Sequence, residues 1–143
     1  MNKPIRRWMV FWVCIAFAGQ LLVGCSAKSQ GVKTDRSDKK QLKIGFTIDT
    51  LVLERWTRDR DVFTAVAQEL GAQVDVQNAN NNLEKQKKQI EDFIAQKMDV
   101  IVIVAVDSYG LTEEVDKAKS EGIRVISYDR LIQGTKTDLY ITV

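Results

Sequence analysis

The sequence predicts an α/β protein, a three-layer αβα sandwich around a parallel sheet. Three observations carry that prediction. Short apolar runs alternate with stretches of three- and four-residue apolar spacing along residues 42–143. The segment Asp99–Val106, DVIVIVAV, is almost continuously apolar and β-branched, which suits a strand covered on both faces. Two units, AQELGAQVDV and AKSEGIRVIS, echo each other as helix end, glycine and strand. That is the βα repeat of an open sheet with right-handed crossovers.

Residues 1–24 differ from the rest. Lys3, Arg6 and Arg7 make a basic start, and Trp8–Val23 carries no charge. This run is shorter than the roughly 20 apolar residues of a membrane span, and the pattern is that of a secretory signal. It ends in Leu22-Val23-Gly24-Cys25, which resembles a bacterial lipobox. The resemblance implies that Cys25 is acylated and becomes the first residue of a lipoprotein on the outer face of the cell membrane. Acyl chains then anchor the protein without a spanning helix. Residues 25–41 are polar and aperiodic, a flexible tether. The folded part is expected at 42–143.

Its elements follow in order. LKIGFTI (Leu42–Ile48) is the first strand. Leu53–Leu70 is a helix, with Trp56, Phe63, Val66, Ala67 and Leu70 on its apolar stripe and Gly71 at its end. AQVDVQ is the second strand. Asn81 and Glu84 form a capping pair that opens a second helix, whose apolar side is Leu83, Ile90, Phe93 and Ile94. Asp99–Val106 is the third strand. A third helix carries Leu111, Val115 and Ala118 and stops at Gly122. IRVISY and LYITV are the fourth and fifth strands.

Composition narrows the chemistry. The chain has 21 basic and 19 acidic residues. Removing the signal leaves 18 against 19, a net charge of −1, so charge supplies no case for nucleic acid. There is no histidine. Of the two cysteines, Cys14 leaves with the signal and Cys25 is the expected lipid site. No thiol or imidazole is then left for a zinc site or a nucleophilic triad. Neither GxGxxG nor GxxxxGK[ST] is present, so no nucleotide cofactor is expected. These absences argue against an enzyme.

In open parallel sheets, ligands bind beyond the carboxyl ends of the strands. Strand one ends at Asp49-Thr50, with Arg55 and Trp56 close behind; strand three ends near Asp107-Ser108; strand four ends at Tyr128-Asp129-Arg130. Asp129 and Arg130 pair an acceptor-only group with a planar donor fork, a combination suited to hydroxyls. Spacing alone leaves two readings open. The pair can equally be a strand-end ion pair, Arg55 can pair with Asp59 one turn on, and Trp56 lies in register with the core stripe. Asp49 and Asp107 together superficially resemble a phospho-accepting receiver. The doubled acidic motif and the lysine of that family are missing, and export argues against it.

KIGFTIDTLVLERWTRDRDVF, VDVQNANNNLEKQKKQIEDFIAQKMDVIVIVAV and EGIRVISYDRLI resemble the type 1 periplasmic binding proteins, most closely the D-xylose binders of ABC importers. The likeness runs from about Lys43 to the C-terminus. It implies a partial first lobe of a two-lobed sugar-binding fold, with Arg55, Trp56, Asp129 and Arg130 contacting a pentose. In that reading the charged groups bind hydroxyls and the tryptophan walls the C–H face of the ring. It also implies an ABC permease as partner. A sugar-sensing lipoprotein beside a membrane histidine kinase is the alternative. Two positions depart from the family pattern: Lys97 replaces a glycine before the third strand, and Ala105 a proline after it. The chain is expected to be a fragment or a truncated or split protein, because the second lobe is absent.

Overall fold

The structure is a computed structural model and describes residues 40–142. The expected signal, Cys25 and all but the last two tether residues lie outside the described residues. Five strands form one parallel sheet: β1 (Lys43–Ile48), β2 (Gln73–Asn78), β3 (Val100–Ile103), β4 (Arg124–Tyr128) and β5 (Leu139–Ile141). Their order is β2-β1-β3-β4-β5. Three helices connect them: α1 (Glu54–Glu69), α2 (Leu83–Ala95) and α3 (Thr112–Ser120). Among the described residues no helix is long and apolar enough to cross a membrane.

The strand period of two sorts side chains onto two cores. Ile101, Ile103 and Ala105 point to one face with Val125, against Ile90 and Phe93 of α2 and Val115 and Ala118 of α3. Val102 and Val104 point to the other with Ile44, Phe46 and Ile48, against Trp56, Phe63 and Ala67 of α1. This is the expected sandwich. Each fully buried Ile or Phe contributes about 1.5–3 kcal/mol of transfer energy. Gly45 lies on the α2 side of β1, where a Cβ would come within 2.6 Å of the Phe93 ring. Only glycine lets the helix approach that closely.

Every helix stops in the same way. The residue after the C-cap adopts a left-handed conformation, and its own N–H and the next one turn back onto the last turn. Gly71 (φ 87°) and Gly122 (φ 79°) do this at the ends of α1 and α3. Lys97 (φ 54°) does it at the end of α2, with its N–H on Ile94 O at 2.9 Å and that of Met98 on Phe93 O at 3.1 Å.

Three details differ from the sequence reading. The N-cap of α2 is Asn82, whose Oδ1 accepts from Lys85 N at 2.9 Å. Asn81 instead has φ 56° and donates its N–H to Asp49 O at 2.7 Å. The third strand ends at Ile103 rather than Val106, because a side-chain amide of α2, described below, takes over the backbone groups beyond it. The stripe of α1 is only partly covered: Val66 is 49 % and Leu70 82 % exposed. Among the described residues α1 alone covers its side of the sheet, and these side chains at its outer edge stay open.

Candidate functional site

The registers align the strand ends. Thr47 pairs with Ile103, and Ile103 with Ser127. The chain therefore leaves β1, β3 and β4 at one level, and Asp49, Ala105, Asp129 and Arg130 emerge together at the carboxyl edge.

Arg130 reaches back across that edge. Its Nη1 donates to Ala105 O at 2.7 Å and meets Asp49 Oδ2 at 2.9 Å. Asp49 is 1 % exposed, and its other oxygen accepts from Thr50 N at 2.6 Å. A buried carboxylate needs such partners, since stripping water from it is costly. Asp49 was visible in the sequence as a strand-end residue. Its pairing with Arg130 was not, because nothing in local spacing links the two.

Arg55 approaches the same edge from the first turn of α1. Its Nη2 donates to Asp129 Oδ1 at 2.7 Å, and its Nε lies 3.8 Å from Asp59 Oδ2. The i,i+4 pairing anticipated from spacing is thus present but is the looser contact. Asp129 holds its carboxylate there from a left-handed backbone position, φ 63°. Asp129 and Arg130 do not pair with each other: each finds its partner on the segment after β1.

Trp56 is 3 % exposed and belongs to the α1 core. The Arg55 guanidinium stands 4.5 Å from its ring centroid, and the Tyr128 ring meets it edge-on at 6.1 Å. The indole thus has no open face while Arg55 stays in place. Its Nε1 is buried with no acceptor among the described residues. Tyr128 closes the group, donating its hydroxyl to Asp59 Oδ2 at 2.8 Å. Burial, and then that hydrogen bond, push its phenol up to about 12.

Asp107 has a local structural role. Its Oδ1 accepts from Tyr109 N at 2.8 Å and Gly110 N at 2.7 Å, closing the loop before α3. Among the described residues no group of three or more acidic, cysteine or histidine residues is arranged to hold a metal ion.

A parallel α/β sheet of this order has counterparts among known proteins. A model of the periplasmic binding protein domain matches residues 44–143. The chain belongs to the periplasmic binding protein family. It is 48 % identical over 103 residues to the D-xylose-binding periplasmic protein of Escherichia coli, covering 72 % of this chain and 31 % of that one. It is 43 % identical over 111 residues to the protein of the same name from Haemophilus influenzae, covering 78 % and 33 %. A solved ABC-transporter solute-binding protein from Clostridium phytofermentans, with bound β-D-glucose, superposes with a TM-score of 0.68 at 33 % identity. That match covers 70 % of this chain and 31 % of the other. The chain therefore spans about a third of the length of these members of the family.

Proposed function

We propose that this chain belongs to the first lobe of an exported monosaccharide-binding protein, with D-xylose as the first ligand to test, serving an ABC importer. The observation that carries the reading is the convergence of Arg55, Asp129, Arg130 and Asp49 on one sheet edge. A sugar hydroxyl donates and accepts at once, so an edge that presents both a carboxylate and a guanidinium satisfies it; an anion would be repelled by the carboxylates. Arg55 and Asp129 are paired with each other at the exposed surface, where exchange of one partner for a hydroxyl costs little. When Arg55 turns toward a hydroxyl it uncovers the Trp56 ring, which then serves as the apolar wall for the C–H face of the pentose. The protein acts by binding, without a chemical step.

The names of the two curated relatives support xylose, and the glucose-bound neighbour, a solute-binding protein of an ABC transporter, supports a role in transport. In this reading residues 1–24 are the export signal, Cys25 carries the lipid, residues 25–41 are the tether and residues 42–143 belong to the first lobe.

Titrating the 15N-labelled chain with D-xylose, D-ribose and D-glucose tests the site directly, because chemical-shift changes report even weak binding. Saturable shifts at Arg55, Asp129 and Arg130, strongest with xylose, are expected. Shifts that stay flat at these positions for all three sugars overturn the assignment.

A further inference from the structure

Helix α2 turns two glutamines into the sheet. Gln86 is 0 % and Gln89 5 % exposed, an unusual fate for a residue type mostly found in water. Their amides are satisfied in a specific way. Gln86 Nε2 donates to Val104 O at 2.9 Å, and its Oε1 accepts from Val106 N at 2.7 Å. One side-chain amide thus makes the two bonds that a neighbouring strand would make, just where β3 loses its ladder. Gln86 Nε2 also lies 3.3 Å from Thr47 Oγ1, which donates to Gln89 Oε1 at 2.7 Å. Gln89 Nε2 donates to Asn78 O at 3.0 Å. The network ties together the ends of β3, β1 and β2.

Between the two backbone groups that Gln86 holds lies Ala105, whose carbonyl accepts from Arg130 Nη1. We infer that Gln86 is the positioning residue of the candidate site: by clamping Val104 and Val106 it aims the Ala105 carbonyl that holds the Arg130 guanidinium across the sheet edge. Gln86 acts through backbone and touches no ligand. The consequence for sugar recognition rests on the function proposed above; the positioning itself does not.

Nitrogen exchange in the Arg130 guanidinium, measured by NMR on the ligand-free chain, reads the effect. In Gln86→Met, rotation about the Arg130 Cζ–Nε bond should speed up about tenfold, the scale of one or two lost hydrogen bonds. Gln89→Met removes a buried amide from the same helix and should leave Arg130 unchanged, although both variants lower the unfolding midpoint. Unaltered Arg130 rotation in a folded Gln86→Met, or equal effects of the two variants, overturns the inference. If Gln86→Met does not fold, hydrogen exchange in the unaltered chain decides. The Val106 amide should then be protected like those of β3, and exchange at the rate of exposed loop amides overturns the clamp. Neither measurement needs a sugar, so failure of xylose to bind would end the functional reading and leave this one standing or falling by itself.

Discussion

Arg55 and Asp129 meet at 2.7 Å across 74 residues of chain. The contact joins the first turn of α1 to the residue after β4. It is nevertheless an open pair, with side chains 48 % and 21 % exposed. Such pairs are worth about 0–1 kcal/mol, and the stacking of Arg55 on Trp56 adds a similar amount. Arg55→Ala should therefore lower stability by only about 1 kcal/mol in urea unfolding, while removing the shifts that the proposed function expects on titration with xylose. A loss of several kcal/mol would mean that the pair holds the fold together and is not free to exchange with a ligand.

Arg130 is a different case. Its partner Asp49 is 1 % exposed, and Arg130→Ala leaves that carboxylate without its cation. Breaking a fully buried pair costs about 3–5 kcal/mol. Arg130 itself is 40 % exposed, so water can reach part of the gap, and about 1–3 kcal/mol is expected. The double variant Asp49→Asn with Arg130→Ala should recover part of the loss, since the stranded charge is gone. Urea midpoints for the four chains check both the ranking and the rescue. Arg130→Ala unfolding no earlier than Arg55→Ala would contradict the burial argument.

Tyr128 links stability to alkaline pH. Burial, and next its hydrogen bond to Asp59, raise its pKa from 10.0 to about 12. The folded chain thus holds this proton more tightly than the unfolded chain does. Its contribution is complete below pH 10 and is lost as pH climbs through about 12. Tyr128→Phe should flatten that alkaline decline in thermal midpoint. A decline of the same size in the variant would assign it to other groups.

Most of the fold was legible because burial imposes a period. Ile101, Ile103, Val102 and Val104 alternate between two cores, and a run apolar at every position has few other uses. Legibility failed where polar groups cross the fold. Gln86 and Gln89 sit on the buried side of α2 beside Ile90 and Phe93, yet by residue type they belong in water. The unpaired end of β3 explains Gln86, and the Thr47 hydroxyl and Asn78 carbonyl on β1 and β2 explain Gln89; those groups come together only through the register of three strands. The same holds at the site. Arg55, Asp129 and Arg130 were legible near strand ends, as was the Arg55–Asp59 pairing along the helix, but the contacts across the sheet edge were not. Arg130 spans the ends of β4, β3 and β1, a geometry with no counterpart in linear spacing. In Asn80-Asn81-Asn82 three residues of equal capping propensity stand in a row, and the choice of Asn82 follows from Asn81 giving its N–H to Asp49.

Lys97 shows a family departure turned into strain. In the sequence a lysine stands here in place of the glycine of the family pattern. The structure has φ 54° there, with both hydrogen bonds of the cap formed. A side chain with a Cβ is disfavoured in that conformation by about 1–2 kcal/mol, partly offset by the greater chain entropy that glycine loses on folding. Lys97→Gly should therefore stabilise the domain by about 1 kcal/mol, a rise of roughly 4–8 °C in Tm for a folded part of about 100 residues. The comparison that isolates the backbone is Lys97→Ala, which removes the same charge but keeps the Cβ and should gain little. If alanine stabilises as much as glycine, the gain comes from the side chain, and the left-handed backbone at the end of α2 carries no penalty.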